Sequence, residues 1–360
     1  MNNDGHGTNP LETHLTMQMK GAVLFILTSA ALLGQPARAP QSHPDPASLP
    51  TTGLLKEPGP AFRISDDRLG SRPTFITYGD TRFTDPSNTT ASNPKVRRWL
   101  VNRIAEEHPG AVILNGDVPL AGDIKNDYQV FKTETEPWRK AGLRVFPVLG
   151  NHEFHGDPRE CLENWWEAFP ELRNRRWYSA QLGSRVYLIA LDSDTSLQPG
   201  SDQARWLEQQ VNSLPATVDF VVFSLHHPPV ADVQTHIEVN HNPRPNEIAL
   251  RDHLSGIAPH IHARLIVTAG HIHNYEREMK DDVLYLVSGG GGAKPYFVER
   301  TPDDLYKSVL FPNYHYVKFT LEKDRLHGVM VRVSDPEAST PGFEVKDSFD
   351  VMGKPPVASR

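Results

Sequence analysis

From residue 73 onward, short apolar runs alternate with longer stretches in which apolar residues recur every three or four positions. The runs predict strands at 73–78, 111–114 and 144–149, and the longer stretches predict helices at 93–107, 127–141 and 157–169. Strand and helix in regular alternation imply parallel strands joined by crossover helices. Around 177–192 the rhythm becomes strand, Leu182-Gly183-Ser184 turn, strand, which predicts a hairpin and the entry of a second sheet. Beyond it the pattern predicts a helix at 202–214, a strand at 220–225, a helix at 246–256 capped by Asn246 and a strand at 264–268. Segments 284–288, 316–320 and 328–333 are predicted as closing strands, and the chain carries no internal repeat.

The flanks read differently. Residues 40–71 are rich in Pro, Ser and Thr with little apolar periodicity, the composition of a linker, and 336–360 reads as a C-terminal tail, so one folded domain is expected over 72–335. Ahead of the linker, Lys20 precedes an apolar run at 21–33, followed by Ala37-Arg38-Ala39. That order predicts a signal peptide within 1–39, with an extended polar segment before it, and hence export to a periplasmic or extracellular location. The run is too short for a membrane-spanning helix, so no stable membrane anchor is expected.

At 360 residues and 38% hydrophobic, the chain can bury a sizeable core. A formal charge of -7 argues against a protein that coats nucleic-acid backbone, whereas a small phosphorylated compound remains compatible. With Cys161 alone, neither an intramolecular disulfide nor a cysteine-built zinc site can form. Composition leaves the oligomeric state open.

Five segments following apolar runs end in residues with oxygen or nitrogen donors: Tyr78-Gly79-Asp80, Asn115-Gly116-Asp117, Gly150-Asn151-His152-Glu153, Leu225-His226-His227-Pro228 and Gly270-His271-Ile272-His273. Loops leaving the carboxyl ends of strands converge on one crevice in an open α/β sheet, so such residues can meet there. In the last segment, alternate residues of an extended chain point to one side, which lets two imidazoles face adjacent ions. Carboxylate, carboxamide and imidazole suit hard or borderline metal ions, and so many donors favour two ions over one, an arrangement that serves phosphoester hydrolysis.

The five motifs, in this order, resemble the calcineurin-like metallophosphoesterases, and Gly270-His271-Ile272-His273-Asn274-Tyr275-Glu276-Arg277 is most similar to the purple acid phosphatase branch. The resemblance implies an α/β fold, a four-layer α/β/β/α sandwich of two mixed sheets. It also implies a dinuclear centre of Fe, Zn or Mn that hydrolyses phosphomonoesters or small phosphodiesters by metal-activated hydroxide. In that scheme Asp117 bridges the ions, Asp80 and His273 hold the first, and Asn151, His226 and His271 hold the second. His152 would protonate the leaving oxygen, and Glu153 would either orient a histidine or sit solvated in its loop.

Two positions depart from the family's pattern. Where many relatives carry histidine two residues after the first aspartate, this chain has Arg82, and where purple acid phosphatases carry tyrosine three residues after the bridging aspartate, it has Leu120. Neither side chain binds a cation. Arg82 is expected to bind phosphate oxygens with its guanidinium fork, or else to pair with Asp85 or Asp123. A thinner first site also admits an alternative function, a metal- and phosphate-binding protein without turnover. Other sequence features are less specific. His227 is expected to touch substrate or to support the site, 232–244 to overhang it or to be a solvated loop, and Gly289–Gly292 to mark a close backbone approach or a flexible turn.

Overall fold

The computed structural model describes residues 59–236, 241–309 and 313–355, together with Asp45, Pro46 and Leu49. The expected leader at 1–39 lies outside the described residues. In chain order the elements are β1 (Phe62–Ile64), α1 (Asp66–Leu69), β2 (Thr74–Tyr78), α2 (Pro94–Glu106), β3 (Ala111–Leu114), α3 (Lys125–Glu134), α4 (Glu136–Lys140) and β4 (Arg144–Pro147). There follow α5 (Pro158–Ala168), β5 (Tyr178–Leu182), β6 (Val186–Ala190), α6 (Asp202–Asn212), β7 (Phe220–Ser224), α7 (Pro245–Ile257) and β8 (Arg264–Ala269). The chain closes with β9 (Tyr275–Lys280), β10 (Val283–Ser288), β11 (His315–Leu321), β12 (Arg325–Val333) and β13 (Phe343–Met352).

The strands form two mixed sheets, one ordered β1-β5-β6-β7-β8-β10-β9 and the other β13-β12-β11-β2-β3-β4. Alternation along β6, β7 and β8 shows how the layers arise. Leu188, Val222 and Ile266 join the core shared with Ile76 and Val112 of the second sheet. Their neighbours Tyr187, Ile189, Val221, Phe223, Leu265 and Val267 face a separate cluster with Trp206 and Leu207 of α6 and Leu250 and Leu254 of α7. A strand buried on both faces reads as a continuous apolar run, which is why 220–225 stood out in sequence. On the other side, α2 contributes Val96, Leu100, Val101 and Ile104 to the shared core. Asn93 caps that helix by accepting from Val96 N, Asp157 caps α5 and Ser201 caps α6 in the same way. Helices outside two packed sheets give the α/β/β/α sandwich.

Some expectations require correction. The predicted tail contains β13, paired antiparallel with β12 along its length. Its central Lys346-Asp347-Ser348 and its outward polar positions hid it, because an edge strand needs apolar residues on one face only. The predicted linker likewise contains β1, which adds three residues parallel to β5. The helix expected over 127–141 is two helices, because Thr135 leaves helical geometry and Pro137 begins the next first turn without an amide donor. Asn246 does not cap α7. Its carboxamide donates to Ser193 O and Thr195 O and accepts from Leu197 N, fastening the helix start to the 193–197 loop.

Candidate metal centre

Both sheets point the same kind of strand end at one place. Asp80 follows β2, Asp117 follows β3 and Asn151 follows β4, all from the six-stranded sheet, whereas His226 follows β7 and His271 and His273 follow β8 of the seven-stranded sheet. The sheets are fixed at this point by Asn115. Its Oδ1 accepts from the hydroxyls of Thr77 on β2, Ser224 on β7 and Thr268 on β8, and its Nδ2 donates to Ala269 O. Both the oxygen and the nitrogen of this buried carboxamide thus have hydrogen-bond partners as it joins the sheets.

Asp80, Asp117 and His271 all sit in left-handed backbone, with φ of 61°, 54° and 69°. Such conformations are strained for residues with a Cβ, and here surrounding hydrogen bonds hold them. Asp80 N donates to Gly116 O, and His271 N donates to Asp80 Oδ2 at 2.9 Å. Asp117 Oδ1 accepts from His152 N at 3.0 Å. Gly116, at φ 81°, could not carry a side chain, since a Cβ there would lie 2.6 Å from His226 Nδ1. The glycine run serves the same purpose: a Cβ on Gly289 would strike Ile272 O at 2.1 Å, and on Gly291 Gly79 O at 2.4 Å. Close approach, not flexibility, therefore accounts for Gly289–Gly292.

Ring-nitrogen partners define what the imidazoles offer. His226 Nδ1 lies 2.9 Å from Asn115 O, so its proton belongs there and Nε2 is left bare. That bare nitrogen faces Asn151 Oδ1 at 3.0 Å, Asp117 Oδ1 at 3.2 Å and His271 Nδ1 at 3.3 Å. On the other side, His273 Nδ1 is satisfied by Lys294 O at 2.9 Å, which turns Nε2 toward Asp80 Oδ1 at 3.4 Å. Asp80 Oδ1 is buried and has no hydrogen-bond donor. Two sets of mutually facing ligand atoms fit cations: Asp80, Asp117 and His273 in one, and His226, His227 and His271 in the other, where Asn151 and Asp117 also face His226.

The electrostatics agree. Burial pushes the Asp80 carboxyl up to about 8, the cost of an unpaired buried charge that a cation would offset. Burial would also raise Asp117, but His226, His152 and Arg82 outweigh it and hold that carboxyl below its usual range. Burial lowers His273 and His152 to about 4 and His271 to about 2, keeping all three neutral at physiological pH. Neutral imidazole is the ligand form.

The structure brings together the eight residues expected to act at the centre: Arg82, Asp80, Asp117, Asn151, His152, His226, His271 and His273. Arg82 pairs with neither Asp85 nor Asp123 and instead meets Asp117 Oδ2 at 3.3 Å. Its backbone, at φ 44°, is held through its carbonyl by buried Arg97, itself locked to Glu134. His152 Nδ1 contacts Leu120 O at 2.5 Å, which leaves Nε2 directed to the site, 3.8 Å from Asp117 Oδ2. Glu153 neither orients a histidine nor lies in solvent. It is buried and accepts from the amides of Gly150, Asp117 and Val118, clamping two ligand-bearing turns together.

His227 packs against His226 and His271 and shares a hydrogen bond with Ser193, so it supports the second donor set. From the loop, His241 reaches that set as well, whereas Arg244 is occupied by Glu247 and Ser193 O. Tyr275 and Arg277 both bond Asp347 and tie β9 to β13 away from the ligands. Sequence reasoning missed Asn115 as the fastener and Tyr296, whose hydroxyl donates to His271 O. Neither lies at a metal-ligand position of a motif, and only the fold brings their partners near.

Residues 79–275, more than half of the chain, match the family model of the calcineurin-like phosphoesterases, and the protein belongs to that family. Among curated relatives it is 27% identical over 215 residues to "Probable purple acid phosphatase 20" of Arabidopsis thaliana, covering 56% of this chain and 46% of that one. Among solved structures, the purple acid phosphatase PPD1 of yellow lupin superposes with a TM-score of 0.63 at 19% identity, covering 79% of this chain and 54% of that one. GAP50, the anchor in the inner membrane complex of Plasmodium, superposes with a TM-score of 0.56 at 13% identity, covering 79% and 90%. The chain thus spans about half the length of the plant proteins it matches.

Proposed function

We propose that the protein is a dinuclear metallophosphoesterase that hydrolyses phosphomonoesters or small phosphodiesters. The observation that carries this reading is the pair of facing donor sets sharing Asp117. Similar folds serve both a phosphatase and an anchor protein, so fold alone does not choose between chemistries, and the donors do. When bound, the ions would supply Lewis acidity and a water acidic enough to ionise near neutral pH. Asp80 and His273 would hold the first ion, Asn151, His226 and His271 the second, and Asp117 both.

The chain's own groups account for the remaining steps. Neutral Asn151, where a carboxylate would add charge, keeps the centre attractive to a phosphate anion. His152 carries a proton on one ring nitrogen or the other. Nδ1 donates that proton to Leu120 O, so the neutral ring turns a bare Nε2 to the site, and it can protonate the departing oxygen only after Nε2 has taken up a proton of its own. Arg82, one-fifth exposed at its side chain, can turn from Asp117 to bind a phosphate oxygen. Export remains part of the proposal from the 1–39 pattern, and among the described residues no helix is long and apolar enough to cross a membrane.

The Arg82–Asp117 pair favours one competing reading, a metal- and phosphate-binding protein without turnover, because a guanidinium occupies the oxygen that the first ion would use. Purified protein loaded in turn with Zn, Mn and Fe and offered a panel of phosphoesters tests both. Turnover abolished by chelation is expected. Two bound ions and tight inorganic phosphate with no hydrolysis under any loading would establish the binder instead.

A further inference from the structure

Three imidazoles carry the proposed metal-binding nitrogens, and the opposite ring nitrogen is held by a backbone carbonyl in two of them and by a side chain in the third. His226 is held by Asn115 O and His273 by Lys294 O, both backbone carbonyls in the sheet-end framework. His271 is held by a side chain: its Nε2 lies 2.9 Å from His241 Nδ1, with the two rings nearly perpendicular at 85°. His241 comes from the loop before α7, not from a strand end. It is itself placed by stacking on Tyr296, at 5.4 Å between ring centres and 17° between planes. Tyr296 in turn donates its hydroxyl to His271 O at 3.1 Å. The two aromatic residues therefore grip His271 at its ring and at its backbone.

Proton placement follows from this geometry. For His271 to present a bare Nδ1 toward His226 Nε2, its proton must sit on Nε2, and a proton there needs an acceptor. His241 Nδ1 is that acceptor, so His241 carries its own proton on Nε2. Resting on the dinuclear reading above, we propose that His241 is a positioning residue that fixes the ligand tautomer of His271 and thereby sets how tightly the second ion is held. Partners of this kind on metal-ligating histidines are worth about 10- to 100-fold in metal affinity. The consequence is specific to this chain's layout: one of the two ions depends on a loop side chain, and the other on the framework alone.

The test compares His241→Phe with His241→Asn. Phenylalanine keeps the stacking on Tyr296 and removes the acceptor, whereas asparagine can place an oxygen near the position of Nδ1. Zinc affinities are read by competition with a chromophoric chelator, and bound ions are counted by elemental analysis after dialysis. His241→Phe is expected to weaken one zinc by about 10- to 100-fold and leave the other unchanged, with His241→Asn recovering most of the loss. Equal retention of both ions by His241→Phe, or equal losses in the two variants, would overturn the inference while leaving the dinuclear reading intact. A wild-type chain that takes up fewer than two ions would overturn the dinuclear reading and this inference with it.

Discussion

The two sheets contribute unlike halves to one site. From the six-stranded sheet come oxygen donors, Asp80, Asp117 and Asn151, and from the seven-stranded sheet come nitrogen donors, His226, His271 and His273. Their supports are opposite in polarity. Backbone amides hold the carboxylates, with His271 N on Asp80 and His152 N on Asp117, while carbonyl oxygens hold two of the imidazoles. An amide can stabilise a negative charge but cannot orient a bare ring nitrogen, and a carbonyl does the reverse. Each half is thus supported by the backbone group that leaves its donor atoms free for a cation.

The largest expected effect comes from the one oxygen ligand proposed to serve both ions. Asp117→Asn should lower phosphoester turnover by more than roughly 10⁴-fold, the upper end of what a single acid–base group contributes. Retention of two tightly bound ions in that variant would break the bridging assignment. His152→Ala should cost about 100-fold on an alkyl phosphate and under about tenfold on para-nitrophenyl phosphate, whose leaving group needs no proton. Equal losses on both substrates would remove His152 from the leaving-group role.

Asn115→Ala would test the joint between the halves. Thr77, Ser224 and Thr268 lose their common acceptor, and stability should fall by about 2–4 kcal/mol in a urea titration of chelated protein. A fall under about 0.5 kcal/mol, the range of an ordinary surface substitution, would mean that the sheets are held elsewhere. The smallest effect is one of opposite sign. Arg82→Ala frees Asp117 Oδ2 and should tighten the first ion about tenfold, or about 1.4 kcal/mol, while raising KM for the phosphoester. Weaker binding of that ion in a zinc competition would show that Arg82 helps to build the site instead of competing for it.

The donors were legible in sequence because each stands after an apolar run at a strand end, a position defined within a few residues of chain. Their supports were not. Glu153 clamps Asp117 and Val118 across 36 and 35 positions, and Asn115 meets Thr268 across 153. No local pattern encodes such pairs. Strands with two apolar faces were visible for the same local reason, whereas β13 was hidden by its polar outward residues and β1 by its three-residue length. Arg82 was found as a departure from the family's pattern, but its partner was not: Asp85 is nearer in sequence and Asp123 farther than Asp117, so sequence distance does not pick out the carboxylate that the fold brings to the guanidinium.

The Asp80–His271 hydrogen bond spans 191 positions and joins the two sheets. Contacts so distant along the chain form late in folding, since loop closure must come before they add anything. The proposed dinuclear centre would therefore come into being only when the sheets have docked, because each half supplies only part of its ligands. Added metal should leave the refolding rate nearly unchanged and slow unfolding instead, making the bound ions a latch on the finished structure rather than a template for reaching it.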